Sequence, residues 1–144
     1  MIAVDTNVLV YAHRTDSPHH ERAAQALRGL ATGRGAWAIP WPCLHEFLAV
    51  VTHPRIYRPP TSPTAALEAV ESLLALPALR VLSETADHGS ILARLLRVPG
   101  VVGPKVNDAR IAAICLGHGV GALWSADRDF SWFPQLRVRN PLTG

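Results

Sequence analysis

Five short apolar runs punctuate this chain: MIAV at 1–4, AWAI at 36–39, LRVL at 79–82, GALW at 121–124 and LRVR at 136–139. Longer stretches with helical spacing separate the first four. A strand that is apolar on both faces must be covered on both, and strands joined through helices run parallel. The alternation therefore predicts an α/β chain, with a central, mainly parallel sheet of four to five strands covered by helices on each side. The 144 residues suit a single domain over 1–144, with no internal repeat, low-complexity tract or linker.

The helices follow from local signals. TNVLVYAH starts one, with Thr6 or Asn7 able to cap it. DSPHHERAAQALRGLA starts a second, with Ser17 as N-cap, Pro18 at the first helical position, and Ala23, Ala24, Leu27 and Leu30 on one face. PWPCLHEFLAVVTH turns Leu44, Phe47, Leu48 and Val51 inward. Ser62–Pro63 repeats the cap-and-proline device for TAALEAVESLLAL. Ser83 is positioned to cap ETADHGSILARLLR, and VNDARIAAICLGHG ends at glycine with Ile111, Ile114 and Cys115 on its apolar side.

In parallel sheets ligands bind outside the carboxyl ends of the strands. Asp5 stands just past the first strand and Asp127 just past GALW, so both face one crevice if those strands are neighbours. Of the eleven acids, Asp16, Glu21, Glu68, Glu71, Glu84 and Asp87 fall on solvent faces. Asp5, Glu46, Asp108, Asp127 and Asp129 are embedded among apolar or small residues. Singly, most have plain explanations: Asp5 as a cap, Asp108 in a first helical turn, Asp127 and Asp129 in a turn. Glu46, in mid-helix beside Phe47 and Leu48, is the hardest to dismiss in this way. Together, carboxylates converging on a crevice repel one another and need a counter-charge. All-oxygen sites suit Mg²⁺ or Mn²⁺, and such ions serve phosphoryl or phosphodiester chemistry.

VDTNVLVYA at the N-terminus, Glu46 in the helix after the second strand, NDARIAA and SADRDF resemble the PIN-domain nucleases, and most closely the VapC-type toxins of toxin–antitoxin pairs. YAHRTDSPHHERA, EFLAVVTHPRIYRPPTSP and DFSWFPQLRVRNPL extend the resemblance over nearly the whole chain. It implies a three-layer α/β/α fold, a Mg²⁺- or Mn²⁺-dependent endoribonuclease, a homodimer, and a cognate VapB-type antitoxin whose tail fills the active-site groove. By that resemblance Asp5, Glu46, Asp108 and Asp127 are the catalytic quartet. Asp5, Asp108 and Asp127 hold the metal, with Glu46 and Asp129 as further candidate ligands. Thr6, Asn7 and Ser125 support them from behind. Water activated by the metal would attack phosphorus and leave a 5′-phosphate and a 3′-hydroxyl.

Composition narrows the alternatives. Hydrophobic residues are 49% of the chain and charged residues 17%, which builds a core with apolar surface to spare for a second copy or a partner. No apolar run approaches the roughly 18 residues of a membrane span. No basic n-region precedes the first apolar stretch, and Cys43 and Cys115 are widely spaced. The expectation is a cytoplasmic protein with two reduced, buried thiols. The net charge of +3 permits nucleic acid, and Lys105 is the only lysine among fourteen basic residues.

Zinc is disfavoured because His45–Glu46 is followed by Ala49 and Val50 rather than a second histidine. His13, His19 and His20 are placed near the groove mouth, with His45 and His53 flanking the Glu46 helix. Arg14, Arg110 and Arg128 can contact RNA or pair with carboxylates. Trp41 and Trp132 can stack bases, whereas Trp37 and Trp124 read as packing. The loop at 54–63, with Arg55, Tyr57 and Arg58, can grip RNA, clamp an antitoxin or simply connect. A haloacid-dehalogenase-type phosphatase needs an Asp at position 7, where Asn7 stands. A PIN-like module that only binds would be expected to have lost one of the four acids, and a DNA-binding regulator lacks its helix-turn-helix.

Overall fold

The computed structural model describes residues 1–143. Strands β1 (Ile2–Val4), β2 (Trp37–Pro40), β3 (Leu79–Leu82), β4 (Ala122–Trp124) and β5 (Val138–Arg139) form one sheet in the order β3-β2-β1-β4-β5. Every pairing is parallel. Helices α1 (Thr6–His13), α2 (His20–Thr32), α3 (Trp41–Val51), α4 (Pro63–Leu74), α5 (His88–Leu96) and α6 (Lys105–Gly117) connect the strands. A 3₁₀ turn at Arg128–Trp132 follows β4. The architecture is the three-layer α/β/α one.

Packing follows the sequence pattern. Ala3, Val4, Ala38, Ile39 and Leu123 are completely buried, as strands covered on both faces require. Helix α3 buries Cys43, Leu44, Phe47 and Val51, while Leu48 is only half-buried. Helix α6 is buried through Ala109 and the run Ile111–Cys115. Its small residues allow it to lie close to β2, α5 and the 3₁₀ turn.

Three caps differ from expectation. Asp5, not Thr6 or Asn7, occupies the N-cap position of α1, and its carboxylate makes no cap bond. Thr6 and Asn7 lie inside the first turn, where their side chains reach across a cleft. Ser17 accepts from the His19 N–H at 3.1 Å, which makes a local turn and delays α2 to His20. Ser83 caps nothing: α5 starts at His88, after Thr85 has donated to Asp87 at 2.6 Å. Ser62 does cap α4, accepting from Ala65 N–H at 3.1 Å, with Pro63 at the first position.

The strand order sets the position of the site. From β1 the chain proceeds outward through β2 to β3, then returns to the other side of β1 for β4 and β5. The direction reverses between β1 and β4, so a crevice opens at their carboxyl ends. Val4 lies opposite Trp124, and the Asp5 N–H continues the ladder to the Trp124 carbonyl at 2.9 Å.

Candidate active site

The ladder brings Asp5 beside Ser125, and both are buried, at 4% and 2% exposure. The Ser125 hydroxyl donates to Asp5 Oδ2 at 2.7 Å. Asn7 Nδ2 donates to the same oxygen at 3.4 Å. On the other side, the Cys43 thiol is 3.5 Å from Asp5 Oδ1 and points its weak donor there. No cation lies against this carboxylate in its hydrogen-bonding shell among the described residues. Burial accordingly pushes the Asp5 carboxyl above its ordinary range, against the bond from Ser125 that favours the charge.

Ser125 also fixes the next acid. Its Oγ accepts from the Asp127 N–H at 2.9 Å, and Asp127 Oδ1 accepts from the Asp129 N–H at 2.9 Å. Asn7 Oδ1 accepts from the Ala126 N–H at 3.1 Å, tying the first turn of α1 to the segment after β4. Glu46 projects from the exposed side of α3 and is held by Thr6 Oγ1, which donates to Oε2 at 3.0 Å. Asp108 enters from the first turn of α6.

Asp108, Asp127 and Asp129 each offer a carboxylate oxygen, and these three atoms lie within 4.8 Å of one another. Asp108 is pushed up to about 6, first by burial and then by the charges of Asp127, Asp129, Asp5 and Glu46. Lys105 stands at the rim, 3.7 Å from Asp129 and 4.8 Å above the Trp132 ring. An all-carboxylate set with so little positive charge suits a hard divalent cation bound through oxygen.

A cleft of about 280 Å³ unites these groups, lined at one end by Asp5, Thr6, Asn7, Glu46, Asp108 and Asp127. Its other end is apolar and aromatic, from Val10, Tyr11, Val50, Ile56 and Tyr57. A wider groove continues past Glu46 and Asp108 to His45, Arg110 and Asp129. The structure thus gathers Asp5, Glu46, Asp108 and Asp127 in one cleft, with Asp129 on its outer flank.

Comparison with known proteins gives the architecture a family. The PIN domain model matches residues 2–135. The chain belongs to the PIN-domain family, among the VapC ribonucleases. Ribonuclease VapC43 of Mycobacterium tuberculosis is 40% identical over 145 residues, spanning 100% of this chain and 97% of that relative. Among solved structures, M. tuberculosis VapC20, a sarcin–ricin loop cleaving toxin, superposes with a TM-score of 0.67 at 22% identity, over 91% of this chain and 93% of that one. VapBC2 from Rickettsia felis, bound to a DNA fragment from its promoter, gives 0.68 at 21% identity, over 97% of this chain and 98% of that one.

This PIN domain also separates the remaining sequence candidates. Arg14 pairs with Asp16 at 2.7 Å and Arg110 with Glu84 at 3.0 Å, so neither neutralises a cleft carboxylate. His13 bonds Thr61 at 3.0 Å and packs edge-on against Phe47, and His20 bonds the Tyr11 carbonyl at 3.0 Å. Trp37 is core, and Trp124 lies under Arg139. Trp41 stacks on His45. Both cysteines are free and buried, and burial pushes the Cys115 thiol up to about 12. Sequence reasoning took Cys43 as packing only. Its position three residues before Glu46 on α3 was the available signal, since that spacing puts both on neighbouring helical faces. Tyr11, in the same helix as Asn7, was not singled out.

Proposed function

We propose that this PIN domain is a metal-dependent endoribonuclease, the toxin of a toxin–antitoxin pair, that hydrolyses RNA phosphodiester bonds. The observation that carries the proposal is the convergence of Asp5, Glu46, Asp108 and Asp127 on one cleft at the sheet's reversal point, in a chain whose relatives are named ribonucleases. Asp5, Asp108 and Asp127 would hold Mg²⁺ or Mn²⁺, with Asp129 and Glu46 completing the oxygen set. When bound, the ion neutralises phosphate charge and makes water a competent nucleophile at neutral pH.

The chain's own residues do the positioning. Ser125 and Asn7 lock the Asp5 carboxylate, and Thr6 holds Glu46 by Oε2. Glu46 Oε1, without a partner among the described residues, is left to orient an attacking water and take its proton. An antitoxin partner and self-association belong to the same proposal. An apolar groove of about 350 Å³ between α1, α2, α3 and α4, lined by Leu9, Leu27, Phe47 and Leu73, supports a protein partner. Among the described residues no helix is long and apolar enough to cross a membrane.

Purified protein is expected to cut RNA with Mg²⁺ or Mn²⁺ and to stop in EDTA, leaving 5′-phosphate and 3′-hydroxyl ends. Products ending in 2′,3′-cyclic phosphate would overturn the mechanism, because they require the 2′-hydroxyl as nucleophile.

The electrostatics predict a pH-dependent response to the ion. Asp5 and Asp108 bind protons more tightly folded than unfolded, so without metal their contribution to stability falls as pH rises from about 4 through about 6. A divalent ion should restore it where they are ionised. Melting temperature in Mg²⁺ minus that in EDTA is expected to be clearly positive at pH 7.5 and close to zero at pH 4.5. The difference removes His13, whose pKa is lowered by burial and which titrates alike in both buffers. An equal increment at both pH values would show that the ion does not compete with these protons.

A further inference from the structure

We propose that the apolar end of the active-site cleft is a nucleobase pocket, which takes one unstacked base of the RNA next to the phosphate held at the acidic end. The inference rests on the nuclease reading and adds to it a base-binding subsite beside the reacting phosphate.

Four observations carry it. Firstly, the two ends belong to one cleft: Val10, Tyr11, Val50, Ile56 and Tyr57 line the space that also contains the Asp5, Glu46, Asp108 and Asp127 carboxylates. A group bonded to the reacting phosphate falls naturally into the other end. Secondly, the size fits. About 280 Å³ is at the small end for ligand pockets, enough for one ring system beside a phosphate. Thirdly, the lining offers an apolar face to a ligand: Ile56 is 53% exposed where it lines the cleft, beside the half-buried Tyr11, Val50 and Tyr57. Fourthly, the aromatic wall is pre-built.

The Tyr57 ring has the Arg14 guanidinium 4.3 Å from its centroid. Arg14 is itself fixed, donating to Asp16 at 2.9 and 2.7 Å and to Thr61 at 3.2 Å. Thr61 N–H bonds the Val51 carbonyl at 2.8 Å, and Tyr57 N–H bonds the His53 carbonyl at 3.1 Å, so the loop is anchored at both ends. A rigid aromatic face loses little entropy on stacking, and base–aromatic stacking contributes in a largely sequence-tolerant way. Beside this wall the Arg55 and Arg58 side chains have no hydrogen bond or ion pair among the described residues, and both are exposed. They are free to meet the phosphates that flank the captured nucleotide, where the carboxylates alone would repel the strand.

The test compares ligands that share a phosphate and differ in the base. With Mg²⁺ present, NMR titrations measure dissociation constants for the four ribonucleoside 5′-monophosphates and for ribose 5-phosphate, on wild type, Tyr57→Ala, Tyr57→Phe and Asp5→Asn. At least one nucleotide is expected to bind wild type tenfold or more tightly than ribose 5-phosphate. Tyr57→Ala should remove that preference while leaving ribose 5-phosphate unchanged, and Tyr57→Phe should retain it. Asp5→Asn should weaken all five ligands alike. Equal affinity for ribose 5-phosphate and every nucleotide, or a preference that survives Tyr57→Ala, overturns the pocket and leaves this end of the cleft to a protein side chain. Either result in a protein that still cuts RNA leaves the nuclease reading intact. Base preference in a protein that cuts no RNA supports the pocket and counts against the nuclease.

Discussion

Asp5→Asn should lower metal-dependent RNA cleavage by at least about a hundredfold, the scale on which loss of one pre-organised charged or donor group acts in an active site. The folded protein should be no less stable for it in EDTA. The reasoning separates charge from shape. Asparagine keeps the outline of aspartate and an oxygen that can accept from Ser125, now 2.7 Å from Oδ2. It removes a negative charge from a side chain only 4% exposed, whose ionisation burial already opposes. In the absence of metal that charge is a net cost, so its loss is neutral or stabilising. In the presence of metal the proposed role makes it a ligand, so its loss should be severe. Cleavage rates and melting curves from one preparation check both halves. Wild-type cleavage by a folded Asp5→Asn protein would remove Asp5 from the site. A large drop in melting temperature would point instead to a structural role.

Ser125→Ala is expected to be nearly as damaging, although serine carries no charge. A single oxygen there donates to Asp5 and accepts from the Asp127 N–H at 2.9 Å and from Asn7 Nδ2 at 3.4 Å. Alanine leaves the Asp127 amide short of its acceptor and deprives Asp5 of its shortest donor. The cost is about 1–3 kcal/mol for a buried group left unsatisfied. Activity should fall tenfold or more, because Asp5 and Asp127 lose their common reference point. Ser125→Thr keeps the oxygen and should recover much of the activity. Denaturant midpoints and cleavage rates on the three proteins test this, and unchanged activity in the alanine variant would show that Asp5 and Asp127 are placed by the backbone alone.

Much of this is legible in the amino-acid sequence. The five apolar runs became the five strands because burial on both faces leaves a continuous apolar signature. The order of acids, each just after a strand or within a helix, indicated a common crevice once β1 and β4 were neighbours. Helix starts were less legible. Ser17 and Ser83 have the right residue type for caps, but a hydroxyl bonds whichever amide the local chain presents, and at Ser17 that was a turn. The site's finer structure depends on distance, which sequence does not encode. Asp129 lies with Asp108 and Asp127 because the 3₁₀ turn folds its amide onto Asp127 Oδ1. Cys43 touches Asp5 at a sequence separation of 38. Ile56 and Tyr57 face the cleft through the path of a proline-rich loop.

The pairing of β1 with β4 has a consequence for how the protein is born. Strand β1 is made well before β4, so one of its two edges stays open until residues 122–124 emerge. Until then Asp5 has no Ser125, Asp127 and Asp129 do not exist, and the cleft has only one wall. Domains form largely as their chains are completed, and long-range strand pairing is slow. A nascent chain that lacks residues 122–129 is therefore an inert precursor. The site is assembled only when the segment from β4 onward docks beside β1.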